Sequence, residues 1–511
     1  VFRTALTRAE SVLAEELAAT RPGSVGAYLA QLPGARAAVL ARLWRGLTHE
    51  PLPWVAGRAT GRDGVTLRLA DGRRLHGPPC DPWATGSSVA ALDLDGTPHD
   101  RPAALLTALA VPNGSDFAAE LDHSVASLAL SRTAPPPTGP PAAPWEWEQL
   151  SRDGHPYHPN CRSRPGFSAA EQLAYAPEHR PVVSLRLTPV TDARTHGAWP
   201  AELRDGDAVL VPVHPWQAAH VLADRPLSPG PEGHPLLALR TLHVEGDTPW
   251  HVKTAVSTRL TSAVRDISPY SIEHALATSE FVERIAERRL GGRLHIARTL
   301  AAAGDGTPEL AAMVRESPHR YADVGAGERV VPVAALPALF ASHRPSTDRL
   351  LAFARLAVGV CLDLLDLGLA LEAHGQNLLA VVDADGWARR LVYRDLADIR
   401  VSPARLTHHG LPAPPLTGRL LNDNPIALRR QTLGGLVTGA LAPLAGDAPT
   451  LAAVLAAATD DLPPSPAKRA LREEPLPAKA LTLMRLAPDP AVRWTDLPNP
   501  LAPEPARPDV P

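Results

Sequence analysis

Glu372, His374, Gln376 and Asn377 stand together in the string Leu371-Glu372-Ala373-His374-Gly375-Gln376-Asn377, directly ahead of the apolar run 378–382. Next comes Asp383-Ala384-Asp385-Gly386, a turn in which Gly386 is free to take positive φ. A second strand pattern, 387–393, then runs into Arg394-Asp395. Counted back from the turn, Asn377 and Asp395 lie near each other at the open end of this hairpin. Directly paired residues are about 5 Å apart, so an amide oxygen and a carboxylate could reach one cation there. Mg2+ on a nucleotide asks for such donors: one or two hard oxygens from protein, the rest from phosphate and water. Glu372 and His374 precede them on the same loop and could meet substrate or metal. The plainer reading is a polar loop that caps the preceding helix and bonds the backbone.

A second stretch, 253–265, reads Lys-Thr-Ala-Val-Ser-Thr-Arg-Leu-Thr-Ser-Ala-Val-Arg and gathers three cations among several hydroxyls. Alternation places Lys253, Ala255, Ser257 and Arg259 on one side of a strand. Arg and Lys beside Ser/Thr donors suit phosphates and carboxylates, Arg as a bidentate fork and Lys as a point charge. The chain has only three lysines, Lys253, Lys468 and Lys479, which makes an interior Lys253 notable. No Gly-x-x-x-x-Gly-Lys-Ser/Thr occurs, so a P-loop is excluded. A solvated polar sheet face is the competing reading.

Two histidine-proline motifs lie upstream. Gly154-His155-Pro156-Tyr157-His158-Pro159-Asn160-Cys161-Arg162-Ser163-Arg164 is a proline-stiffened loop. Its histidines lack a nearby third zinc ligand, and the prolines preclude a ligating helix. Anion binding by His155, His158, Arg162 and Arg164 fits the residue types better. Val213-His214-Pro215-Trp216-Gln217 follows a strand and reads as a structural corner.

Taken in order, these strings resemble the NRPS-independent siderophore (NIS) synthetases, the aerobactin-synthetase-like IucA/IucC family. That family shows a Gly-His-Pro-x-His-Pro loop, a His-Pro-Trp-Gln corner, a Lys-x-x-x-Ser strand leading to Thr-Ser-x-x-Arg, and a Glu-x-His-x-Gln-Asn loop followed by Arg-Asp. All four are present in that order between Gly154 and Asp395. The resemblance implies an α+β cupped hand of mainly antiparallel sheets and helices, with thumb (1–140), fingers (141–335) and palm (336–511). It also implies an enzyme that uses ATP and Mg2+ to adenylate a carboxylic acid, citrate or a citrate or dicarboxylate derivative. The acyl group would then pass to a polyamine, hydroxylamine or amino-alcohol. Carried onto matching positions, His374, Arg265, Lys253 and Gln376 would be catalytic. Ser257, Arg259, Thr261, Ser262, His155, His158, Arg162 and Arg164 would bind ATP or substrate, and Glu372, Asn377 and Asp395 would hold Mg2+. One departure is Arg162-Ser163-Arg164, where the family loop usually reads Lys-Ser-Arg. Homodimers are common in the family, and this chain is expected to be cytoplasmic, with no nucleic-acid or membrane partner. Two other readings fit parts of the pattern: a kinase-like phosphotransferase, or a family member that only binds a carboxylate or siderophore.

These motifs need a scaffold. Helical patterns cover 8–19 and 35–46, with a β-like stretch at 64–69, before the proline-rich run 134–141. Strand patterns follow at 182–187, 208–213 and 251–257, then a helix over 269–289. The apolar stretch 350–371 is interrupted by Arg355, Asp363 and Asp366, which suits a core helix and not a membrane span. The tail after Asp460 is rich in Pro and Ala and is expected to fray at its end. At 511 residues with 21% charged side chains the chain suits two or three globular domains, and a net charge of −3 gives no global attraction to nucleic acid. Cys80, Cys161 and Cys361 are far apart and lack Cys-x-x-Cys spacing, so neither a zinc ribbon nor a disulfide framework is expected. No leader pattern opens the sequence, and secretion is not expected.

Overall fold

Thr7 and Glu10 close a reciprocal capping box, each side chain accepting from the other's backbone N–H, at 2.9 and 3.3 Å. This box starts the helix Arg8–Thr20. A computed structural model of the chain describes residues 5–136, 139–246, 249–261, 263–343 and 346–502. The helical pattern at 35–46 is the centre of a longer helix, Val25–His49, whose early turns contain Pro33. A proline inside a helix removes one backbone bond, so sequence periodicity alone stops short there. Two further helices, Pro102–Leu109 and Gly114–Arg132, pack with it beside a five-stranded antiparallel meander that begins at Val55–Gly61. Tyr28, Trp44, Leu67 and Phe117 are fully buried in that core.

The middle of the chain builds a nine-stranded sheet in which every observed pairing is antiparallel. Here the single strand expected over 251–257 divides. Trp250–Thr254 stays in the large sheet, opposite Ala311–Glu316. Val256–Leu260 leaves it to pair with Ala263–Arg265 in a separate hairpin. Ala255 makes the transition, its N–H donating to the Ala311 carbonyl at 3.2 Å. Lys253, Ser257 and Arg259 therefore do not share one strand face, which corrects the alternation argument.

The third layer is a four-stranded sheet containing the expected hairpin, Leu378–Val382 against Ala388–Tyr393. Its one parallel pairing joins Leu294–Ile296 to Ala388–Tyr393. The apolar stretch forms the helix Ser346–Leu367 and stops at Gly368, whose φ is +98°. A β-carbon at Gly368 would lie 3.0 Å from the Ser402 carbonyl oxygen, so only glycine fits this close approach. Among the described residues no helix is long and apolar enough to cross a membrane.

The segment after Asp460 is folded over most of its length. The helix Pro466–Glu473 leads to a strand, Leu476–Lys479, paired with Trp494–Leu497. The residues expected to fray, 503–511, lie outside the described residues, as do 137–138 of the proline-rich run. The fold class is α+β with mainly antiparallel sheets, as the sequence reading expected.

Candidate functional site

The loop after the strand Leu369–Ala370 is held by its own backbone and by a π-helix behind it. The His374 carbonyl accepts from Asn377 and Leu378 N–H at 3.0 and 2.9 Å, and the Tyr393 hydroxyl accepts from Glu372 N–H at 3.2 Å. The π-helix Gly434–Leu441 supplies the Gly439 carbonyl, which accepts from Gly375 N–H at 2.9 Å. A β-carbon on Gly435 would lie 2.8 Å from Ala373 N, and one on Gly439 2.5 Å from the His374 β-carbon. These glycines let the loop seat directly on the helix, at the kind of irregularity that recurs near functional sites. His374 Nδ1 accepts from Gln376 N–H at 3.3 Å, so the neutral ring carries its proton on Nε2. Burial lowers the His374 pKa, against the opposing pull of Glu372, and keeps the ring neutral.

Leu378 pairs with Tyr393, and Arg394 N–H donates to the Asn377 carbonyl at 3.0 Å. Asn377 and Asp395 are thus brought to the same end of the hairpin, where they line one pocket with Gln376, Arg394, Arg315 and His251. Asp395 takes a left-handed conformation, φ +67°, that Asp tolerates better than most residues. Arg394 turns away and makes a buried fork to Glu148 at 2.6 and 2.7 Å. That ion pair ties the hairpin to the segment Pro144–Leu150.

Cations converge on Asp395. Lys253 Nζ lies 2.7 and 2.9 Å from its two oxygens, and Arg315 donates at 3.0 Å. Arg240 is half-buried close by, donating to the Asp266 carbonyl at 3.1 Å and to that of Arg265. Arg265 bonds the Leu260 carbonyl and Thr261 Oγ1 at 2.7 Å each, and its charge is felt at Asp395. Burial alone would raise the Asp395 carboxyl, but Arg315 and Lys253 outweigh it and hold the group well below the carboxylate range. Burial brings Lys253 down to about 7, with Asp395 pulling it up and Arg315 and Arg240 pushing it further down. Lys253 and Arg315 on Asp395, with Arg240 and Arg265 near them, gather at this pocket the cationic donors that suit a phosphate or carboxylate.

The neighbouring hydroxyls are positioned by the His-Pro-Trp-Gln corner. Gln217 accepts from Ser257 N–H and donates to Ser257 Oγ, both at 2.8 Å, and Ser257 Oγ donates to Asp266 at 2.6 Å. His214 caps the short helix Pro215–His220, and Trp216 bonds the Gly166 carbonyl at 3.0 Å. Ser262 lies outside the described residues.

The His-Pro loop divides into two halves. Arg42 bonds the carbonyls of His155 and Pro156, each at 3.1 Å. His155 Nδ1 accepts from Tyr157 and His158 N–H, and the residue is exposed. His158 is buried, its Nε2 has no hydrogen-bond partner, and burial followed by Arg485 brings it to about 3. Arg162 and Arg164 are held by partners of their own. Both pair with the fully buried Glu178, at 3.4 and 2.9 Å, so the structure ties up these guanidinium groups internally. Arg259 is partly exposed and only 4.0 Å from Glu120, which Arg485 grips bidentately at 2.6 and 2.8 Å.

The carboxylates reserved for a metal are engaged by cations, Asp395 as above and Glu372 by Lys479. Among the described residues no three His, Cys, Asp or Glu side chains converge to hold a metal ion. Asn377 and Asp395 are hard oxygen donors lining the pocket at the hairpin end, and with so few carboxylates they do not make an all-protein metal cage. Arg240, Arg315, Lys479 and Arg485 were not singled out for the site by sequence. Of these only Lys479 carried a signal, the rarity of lysine.

Comparison with known proteins places the fold. Residues 143–338 match the IucA / IucC family model, and residues 350–447 match that of the ferric iron reductase FhuF-like transporters. The petrobactin biosynthesis protein AsbB of Bacillus anthracis superposes with a TM-score of 0.77 at 18% identity, covering 97% of this chain and 98% of its own. ATP-bound aerobactin synthetase IucA from Klebsiella pneumoniae gives 0.67 at 18% identity, over 92% and 99%. The fold is therefore that of the NIS synthetases. A curated relative from Bacillus anthracis, citryl-spermidine/3,4-dihydroxybenzoyl-citryl-spermidine:spermidine ligase, is 25% identical over 312 residues, 49% of this chain and 50% of its length. A Staphylococcus aureus relative, 2-[(L-alanin-3-ylcarbamoyl)methyl]-3-(2-aminoethylcarbamoyl)-2-hydroxypropanoate synthase, is 25% identical over 193 residues, 30% of this chain and 31% of its length. The chain thus spans about a third to a half of the curated relatives it matches. The family resemblance is borne out by the match of residues 143–338 to the IucA / IucC family model.

Proposed function

We propose that the chain is an ATP-dependent, AMP-forming siderophore synthetase that adenylates a carboxylic acid and condenses it with an amine, hydroxylamine or alcohol. The acid is citrate or a citrate or dicarboxylate derivative. The observation that carries this reading is the cluster of Lys253, Arg240, Arg265 and Arg315 around Asp395, beneath a loop presenting His374 and Gln376.

A carboxylate is a poor electrophile, so one of its oxygens attacks the α-phosphorus of ATP. The bond from that phosphorus to the bridging oxygen breaks, and pyrophosphate leaves with the electron pair. The cations offset negative charge accumulating on the phosphates, and Ser257, held by Gln217, presents its hydroxyl at the same hairpin. His374 donates from Nε2 to an oxygen of the activated acid, and Gln376 orients the acyl-adenylate. The nucleophile then attacks the acyl carbon, loses a proton, and AMP departs. A magnesium ion held by Asn377 and Asp395 would supply charge neutralisation on the phosphates. On this reading the chain divides as thumb (1–140), fingers (141–335) and palm (336–511).

A hydroxamate-forming screen with hydroxylamine, ATP and a panel of di- and tricarboxylic acids tests the proposal. Acid-dependent hydroxamate with AMP and pyrophosphate is expected. ADP in place of AMP, or no nucleotide turnover with any acid, would overturn it.

A further inference from the structure

Two of the three lysines of this chain face carboxylates of the cleft: Lys253 meets Asp395, and Lys479 meets Glu372. The third, Lys468, donates to the Leu462 carbonyl. Lys479 lies beyond both segments that match family models, in the strand Leu476–Lys479. Its backbone is firmly placed. Lys479 pairs with Trp494, Ala480 N–H donates to the Arg493 carbonyl at 2.9 Å, and Thr438 Oγ1 donates to the Pro477 carbonyl at 3.1 Å. Gly434, at the start of the π-helix, leaves no room for a β-carbon against the Trp494 ring. The hairpin therefore rests on the helix that also seats the Glu372–His374 loop.

The side chain is less confined than its backbone. Lys479 is 36% exposed while Glu372 is 13% exposed, so the ammonium stands on the open side of the pair. Its charge also acts on His155 and His374, which come from two different loops. An ammonium on four rotatable carbons, fixed at its root and open at its tip, can exchange one anionic partner for another.

We infer that Lys479 is a nucleotide-binding residue of this cleft, its ammonium leaving Glu372 for a phosphate oxygen of ATP. This rests on the functional reading above. Until nucleotide arrives, Lys479 neutralises Glu372. Once it has moved, Glu372 is free to face the His374 side of the cleft.

The test is equilibrium ATP binding by calorimetry on the full chain, with divalent metal chelated and no acid present. Lys479→Gln is expected to weaken ATP about tenfold to a hundredfold, the worth of one hydrogen bond to a charged group, and Lys479→Arg to stay within about threefold. The double variant Glu372→Gln/Lys479→Gln is expected to remain as weak as Lys479→Gln. Recovery of wild-type affinity in the double variant would overturn the inference, because Lys479 would then serve only to neutralise Glu372. Wild-type affinity in Lys479→Gln would overturn it as well. Lys479→Met, which keeps the aliphatic stem, is read in the same way if the Gln variant fails to fold. A wild-type chain that binds no ATP would sink the functional reading together with this one, whereas normal wild-type binding with an unaffected variant sinks this one alone.

Discussion

Lys253 and Asp395 are 142 residues apart in sequence and share a bidentate contact, with Nζ at 2.7 and 2.9 Å from the two carboxylate oxygens. The lysine comes from the nine-stranded sheet and the aspartate from the end of the hairpin in the four-stranded sheet. Asp395 therefore restrains the cations that a bound anion would use. Asp395→Asn removes the only carboxylate that pairs with Lys253 and Arg315 among the described contacts. We expect this variant to bind inorganic pyrophosphate more tightly than wild type when metal is chelated, yet to lose about 10²-fold or more in ATP-dependent turnover. Isothermal calorimetry and pyrophosphate-exchange rates separate the two effects. Parallel losses in both would contradict this account of Asp395.

The position of Lys253 makes anion binding proton-linked. Burial holds its pKa near 7, far below the ordinary lysine value, with Arg315 and Arg240 adding to the depression. Above about pH 7 the unliganded group is largely neutral. A phosphate oxygen beside it favours the ammonium and raises its pKa, so binding takes up a proton at pH 8 and much less at pH 6. Calorimetric titration in buffers of different ionisation enthalpy should show that uptake, and Lys253→Met should abolish it. The stability sign is opposite to that of a lysine stabilised by its partner. The folded pKa is depressed, so the unfolded chain binds more protons between about pH 7 and 10.5, and this group's contribution to stability rises with pH across that window.

Glu178 anchors the Arg162–Arg164 half of the His-Pro loop. Burial opposes its ionisation, but Arg162 and Arg164 hold it far below the carboxylate range. Glu178→Gln leaves two buried guanidinium groups short of a counter-charge and should cost about 3–5 kcal/mol in denaturant unfolding. Because the folded pKa is depressed, the wild-type contribution is present above the unfolded carboxylate pKa and is lost only as pH falls into strong acid. The ATP affinity of folded Glu178→Gln should change little, since both arginines are engaged within the buried Glu178 pairing. A tenfold loss of ATP affinity in this variant would return Arg162 and Arg164 to the site.

What the sequence made legible, and what it hid, follows from the range of the forces involved. The hairpin 378–393 was legible because a continuous apolar run, an Asp-x-Asp-Gly turn and its flanking polar residues are all local. The proximity of Asn377 and Asp395 followed by counting register. Arg240 and Arg315 were not legible, since each is a single arginine in a chain rich in them, and only strand order brings them to Asp395. The internal pairing of Arg162 and Arg164 was hidden for the same reason: Glu178 is 14 residues from Arg164 and carries no motif. At Ala255 the chain changes sheets, which no alternation pattern records. Lys479 had its signal in composition, but nothing local tied it to Glu372, 107 residues away.

Gly439 connects that scaffold to the chemistry. Its carbonyl holds Gly375 N–H at 2.9 Å, and an added methyl would lie 2.5 Å from the His374 β-carbon, far inside contact distance. The obstacle is the root of a side chain on a bonded loop, not a flexible tip, so Gly439→Ala must displace His374 or the π-helix. Overpacking of this kind costs about 1–3 kcal/mol, which a domain of this size can absorb. The folded variant should therefore keep its ATP affinity, which rests on cations from other elements, while kcat for hydroxamate formation drops by about tenfold or more as His374 shifts from its working position. Gly446→Ala provides the control: that glycine also lies in this helical region, φ +84°, but has nothing within 4 Å of the added methyl. It should lose a comparable amount of stability through backbone strain and retain its turnover. Equal losses of kcat in the two variants would mean that general destabilisation, and not the seat of His374, sets the rate.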